Sequence, residues 1–161
     1  MEGILLEFLG GRLVDWLPGW LVRRFVPLAS IQRQVKLLPR SKSPLNFSLN
    51  EATPSVRAYF QIENHSGVDL VLDRIVTDIW AGQPVAYGVM AYRTAIPKHT
   101  TTDHIPGFVT ALTPAAIDAV QHERQQPPGQ QKYTMNGTGF FDCKVGSFEV
   151  QLNGFPADVQ A

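Results

Sequence analysis

Cysteine is almost absent: Cys143 stands alone, which excludes a disulfide within the chain and any zinc site built from several cysteines. Charge is scarce too, at 17% of residues with a formal net charge of zero, so nothing marks the whole chain as a nucleic-acid binder. A bilayer-spanning run is missing: residues 3–28 are rich in Ile, Leu, Val, Phe and Trp, but Glu7, Arg12, Asp15, Arg23 and Arg24 interrupt them. The uncharged stretch 16–22 falls far short of the roughly 20 apolar residues a spanning helix needs. Early positive charges and a small-residue cleavage site are also lacking, which argues against a secretory signal. No Gly-x-Ser-x-Gly elbow and no calcium-loop spacing occurs, and the Gly137-Thr138-Gly139 step is too sparse for a phosphate loop. Hydrophobic residues nevertheless make up 44% of the 161 positions, enough for one domain with its own core plus an appendage.

The little charge present is unevenly spread. Residues 1–42 carry a net +4 and the remainder a net −4. A basic, apolar front on an acidic body suits a membrane surface or a partner protein better than nucleic acid. At helical spacing Leu5, Leu9, Leu13, Trp16 and Trp20 share one broad face, with Glu7, Gly11 and Asp15 opposite. Pro18-Gly19 breaks or kinks this helix, and the following turn carries Trp20, Leu21 and the pair Arg23-Arg24. Two readings stand. In one, the segment is an in-plane anchor, with Trp16 and Trp20 at headgroup level and the arginines on phosphates. In the other, it is covered by its own domain, a second copy or a neighbouring subunit. Leu9, Leu13, Trp16, Trp20, Arg23 and Arg24 are the candidate contact residues.

The rest alternates with a period of two. The expected organisation is an amphipathic helical segment over 1–38, a linker over 39–44 (PRSKSP), a β-sandwich over 45–154 and a tail over 155–161. Leu45, Phe47 and Leu49 mark a first strand; Val56, Ala58, Phe60 and Ile62 a second, ending in a turn at residues 64–67. Ile75, Thr77 and Ile79 mark a third, and residues 85–92 a fourth with a bulge placed at Gly88. A single strand is expected over 100–109. Thr113-Pro114 starts a short helix over 115–124, and the final hairpin joins 132–142 to 144–152. Short strands in this number predict an immunoglobulin-like antiparallel β-sandwich.

Several stretches carry a family pattern: FQIEN at 60–64, a strand ending in Asn; IWAGQPVAYG at 79–88, with its glycine turn; IPKHTTT at 96–102; and YTMNGTG at 133–139. In their order and spacing over about residues 45–150 they resemble the group 2 late-embryogenesis-abundant (LEA) proteins, whose module is also called the water-stress and hypersensitive-response (WHy) domain. His65 follows Asn64 where that family usually has proline. The resemblance implies an all-β domain with a short helix before the last hairpin, stress protection or membrane-associated assembly, and no catalytic residues.

The remaining candidates favour plain structural explanations. His99, Asp103 and His104 on one strand would point to both faces and could not converge on a metal. The sequons at Asn46, Asn64 and Asn136 are expected to be coincidental, since no secretory signal is expected, and turn chemistry explains Asn64 and Asn136. Cys143, within an aromatic run, fits a small buried hydrophobe. The expectation is therefore a non-catalytic module without cofactor, metal or nucleic acid. It would lie peripherally on membrane lipids or a membrane-bound complex, or self-associate through its front. The alternatives are a soluble stress-protection protein and a structural subunit of a larger assembly.

Overall fold

Strict alternation lets an antiparallel strand bury one face and leave the other in water, and it fixes most of this architecture. The computed structural model describes residues 16–103, 105, 107–127, 129–156 and 159–160. In chain order the elements are α1 (Gly19–Phe25), α2 (Leu28–Arg33), β1 (Val35–Pro39), β2 (Leu45–Ser48), β3 (Ser55–Ala58), β4 (Phe60–Asn64), β5 (Leu70–Ala81) and β6 (Gln83–Met90). There follow β7 (Thr94–Ile96), β8 (Thr100–Thr102), β9 (Phe108–Ala111), α3 (Pro114–Arg124), β10 (Tyr133–Cys143), β11 (Gly146–Pro156) and β12 (Val159–Gln160). The protein is all-β, an antiparallel sandwich with a few short helices.

One layer runs β11-β10-β5-β6, and β7 shares with β6 the edge of β5 that faces away from β10. The other layer is made of interrupted strands. β1-β4-β8 and β12-β2-β3-β9 abut end to end, because β3 and β4 are separated only by Tyr59. At that break the Tyr59 N–H donates to the Pro44 carbonyl at 2.8 Å, and its carbonyl accepts the Arg40 N–H at 3.1 Å. The Arg40 guanidinium lies 4.0 Å from the Tyr59 ring centre and donates to the Lys42 and Ser43 carbonyls. Of residues 39–44, expected as a linker, Pro39 ends β1 and 40–44 form a loop tied to Tyr59.

The preceding stretch departs from expectation for the same reason. Residues 35–38, assigned by pattern to the helical segment, lie in β1 and pair antiparallel with β4 in the register Leu37↔Ile62. Val35 and Leu37 are buried while Lys36 is exposed, a period-two signal hidden behind a helical one. At the other terminus β11 extends to Pro156 and β12 pairs parallel with β2, so the expected 155–161 tail contains strand.

The core lies between the layers. Phe47 of β2 meets Tyr133 of β10 with ring centres 5.6 Å apart, and Phe60 of β4 stacks on Phe108 of β9 at 6.4 Å. Gly88 is not the bulge expected of it. It pairs in register with Thr77, and the irregularity in β6 falls earlier, opposite Ile79 and Trp80. Gly88 instead leaves room for the Phe108 ring, with which any Cβ would collide. The strand expected over 100–109 is two: β8 pairs with β4 and β9 with β3, on either side of the break at Tyr59.

The helices occupy opposite ends. α3 starts as expected, with the Thr113 hydroxyl accepting from the Ala116 N–H at 3.3 Å and Pro114 at its first position. It packs on β6 through buried Ala116, Ala119 and Val120. The buried Glu123 carboxylate accepts the Lys132 N–H at 2.8 Å, tying the helix to the start of β10. α1 and α2 lie at the far end, beside the turn joining β10 to β11.

Candidate functional site

α1 is held between two prolines. Pro18 precedes its first turn, Val26 ends it, and Pro27 starts α2. Its basic residues, Arg23 and Arg24, fall in the last turn, where the helix dipole favours them, and no acid sits in the first. The inward side is set by Val22, fully buried, with Leu17 and Val26 packed partly against the same core. Gly19 faces the Lys144 carbonyl in the β10–β11 turn so closely that no side chain could be accommodated there. α2 continues the contact: Ile31 is buried, Leu28 approaches Gly146, and the Gln32 side chain donates to the Glu149 carbonyl at 2.8 Å.

That docking decides what faces water. Trp16 is 85% exposed, Trp20 72% and Phe25 61%, and Arg23 and Arg24 are exposed beside them. Three large aromatic side chains and two guanidiniums within residues 16–25 are therefore exposed while Val22 is held in the sandwich. Large apolar groups are costly to leave wet. Of the residues singled out in the sequence, Trp16, Trp20, Arg23 and Arg24 are all exposed. Leu9 and Leu13 lie outside the described residues. Phe25 was missed; its signal was its place directly after Arg24 and before the Val26-Pro27 stop.

The same end contains the turn after β4, built on Asn64. This fully buried side chain donates from Nδ2 to the Val68 carbonyl at 2.9 Å and the Pro97 carbonyl at 3.0 Å, with a longer contact to the Ile96 carbonyl at 3.4 Å. Its Oδ1 accepts from the Ser66 N–H at 3.0 Å and the Ser66 hydroxyl at 2.6 Å. Two separated sequence elements, the strand ending in Asn and the Ile96-Pro97 step, are thereby joined. Beside it Glu63 accepts from His65 at 3.1 Å and pairs with Lys36 at 3.5 Å. The His65 hydrogen bond, helped by the Lys36 charge, holds the Glu63 carboxyl below its ordinary value against a smaller opposing effect of desolvation.

Elsewhere the chemistry is sparse. His99 sits in a turn at φ 54° and not in a strand, and His104 lies outside the described residues. Among the described residues no group of three His, Cys, Asp or Glu side chains could hold a metal ion. Cys143 is half-buried and its thiol meets the Gly146 carbonyl at 3.2 Å. A groove of about 390 Å³ runs between β7 and the β10–β11 turn, lined mainly by apolar surface. A more polar depression lies beside His122, Glu123 and Lys132. Among the described residues no helix is long and apolar enough to cross a membrane.

No family model matches the chain, and no curated protein matches it. Among solved structures it is similar to a protein from Archaeoglobus fulgidus, 13% identical, with a TM-score of 0.39 over 78% of this chain and 97% of that one. It is also similar to the solution structure of a candidate late embryogenesis abundant (LEA) protein, 12% identical, with a TM-score of 0.46 over 97% of this chain and 90% of the other. Neither similarity is high enough to carry an argument about function.

Proposed function

We propose that this chain is a non-catalytic β-sandwich module that attaches peripherally to an anionic membrane surface through the exposed residues of α1 and Trp16 ahead of it. The observation that carries this reading is the orientation of α1: Val22 is spent on the core while Trp16, Trp20, Phe25, Arg23 and Arg24 remain outside. Tryptophan belongs at the headgroup boundary, where its ring is apolar and its N–H is wet, and arginine belongs on phosphate. Burying each aromatic side chain contributes about 1.5–3 kcal/mol when complete. Each arginine near an anionic surface adds about 1 kcal/mol. Attachment of this kind lies on the bilayer and does not span it.

Flotation of the full chain with phosphatidylcholine vesicles, with and without phosphatidylserine, tests the proposal. Recovery with the anionic vesicles, weakened by salt and abolished by Trp16→Ser with Trp20→Ser, is the expected result. Equal recovery of parent and double variant overturns it. If the parent instead associates with itself as its concentration rises and ignores vesicles, the aromatic face is a protein contact. The resemblance at residues 60–64 and 96–102 supports a second reading, soluble stress protection. Under that reading the double variant still suppresses heat aggregation of a labile client enzyme as well as the parent does.

A further inference from the structure

The outer face of the β11-β10-β5-β6 layer carries large apolar side chains that nothing described above uses. Register sets Val76 of β5 opposite Val89 of β6, and Asp78 opposite Tyr87, so each pair projects to one side of the sheet. Thr77 and Ile79, which alternate with Val76 and Asp78, are buried, so that side is the one in water. Trp80, Tyr87 and Val89 are exposed there, and Asp78 is exposed beside them. Arg74, the base further along β5, is already engaged by Asp73 at 3.0 Å and by the Phe140 ring at 4.1 Å. Among the described residues Asp78 forms no ion pair. The face is thus apolar with an uncommitted negative charge, and its complement is a segment combining large apolar side chains with positive charge.

The chain itself holds such a segment, since residues 16–25 expose Trp16, Trp20, Phe25, Arg23 and Arg24. They cannot reach the face of their own copy. Gly19 is fixed at the Lys144 carbonyl, and Asn136, which pairs with Asp78, lies roughly 25 Å back along β10 at about 3.3 Å per residue. α1 spans only about 10 Å. We infer that the front of one copy docks on the outer sheet face of a second copy, its arginines meeting Asp78 and its aromatic side chains meeting Trp80, Tyr87 and Val89. The contact joins two different surfaces, so it is heterologous, and each pair of copies keeps one front and one face free. This goes beyond membrane attachment and rests on the exposure of the front, not on lipid. Because both contacts use the same side chains, they exclude each other, and an anionic surface releases the second copy.

Sedimentation velocity of the full chain at rising concentration tests the inference. The parent is expected to sediment faster as concentration rises, and salt is expected to weaken the effect. Trp16→Ser with Trp20→Ser damages only the front, and Asp78→Lys with Tyr87→Ser only the face; each double variant alone is expected to lose the rise. Mixed in equal amounts they are expected to regain association and to stop at two copies, because one supplies an intact face and the other an intact front. A folding defect gives no such recovery. Val89→Lys, a single change at an exposed position of β6, is a second face variant expected to behave like the first. A parent that stays monomeric, or a mixture that stays monomeric, overturns the inference. So does a front variant that still associates, which means face on face, or face variants that still associate, which means front on front. Flotation reads membrane attachment separately: the face variants are expected to float with anionic vesicles like the parent, and a parent that associates but never floats removes the attachment and leaves self-docking standing.

Discussion

Replacing Asn64 by alanine removes the most densely bonded side chain at the end of the sandwich that carries α1. Two well-formed donations, to Val68 and Pro97, and two acceptances, from the Ser66 N–H and hydroxyl, disappear together. At about 1 kcal/mol net apiece the loss is about 4 kcal/mol. Carbonyls and a hydroxyl left buried without partners push it higher, whereas water entering the cavity pulls it back. Against a total stability of about 5–15 kcal/mol this is a large share. For a domain of this size it corresponds to a fall in Tm of roughly 10 °C. Urea unfolding read by circular dichroism gives the number directly, with the slope expected to stay constant while the midpoint falls. Asn64→Asp separates hydrogen bonding from shape. Its carboxylate still accepts from Ser66 but turns a second oxygen toward the Val68 and Pro97 carbonyls, so folding favours the protonated acid. Its folded pKa is then raised, and its deficit against the parent shrinks as pH falls. A loss below about 1 kcal/mol for the alanine variant, or an aspartate deficit that grows on acidification, refutes this account of the turn.

The two faces of α1 make opposite predictions. Val22→Ser, at a buried site, is expected to lower the urea midpoint, whereas Trp20→Ser is expected to leave it unchanged and reduce only vesicle flotation. Gly88→Val sets a branched side chain against the Phe108 ring and is expected to cost about 3 kcal/mol or prevent folding, as thermal melting will show. Glu63 is expected to titrate below an ordinary glutamate. The stability it contributes is present above the unfolded value of 4.5 and is lost as pH falls through the lower folded value; carboxyl NMR should show His65→Ala moving its titration back upward.

The all-β class, the start of α3 and the final hairpin were legible because each rests on a local rule: alternation along a strand, Thr-Pro at a helix start, and a turn between matched strands. Four of the six candidate contact residues fall among the described residues, and each of the four is exposed. Pattern alone failed where two chain-distant segments had to meet. β1 was concealed because its short alternation follows a helical run and gains meaning only against β4. The 40–44 segment reads as a linker until Tyr59 supplies partners for its backbone and for Arg40. Gly88 reads as a bulge until Phe108 arrives from another strand.

By itself the sequence determined that the chain would build a sandwich and carry an aromatic, basic front, since period and composition are properties of neighbouring residues. Only the tertiary structure decided which part of that front is core and which is surface. Val22 and Trp20 are two residues apart in the chain and both carry large apolar surface. What separates them is the Lys144 turn that Gly19 packs against, which orients the helix and leaves one side chain covered and the other in water.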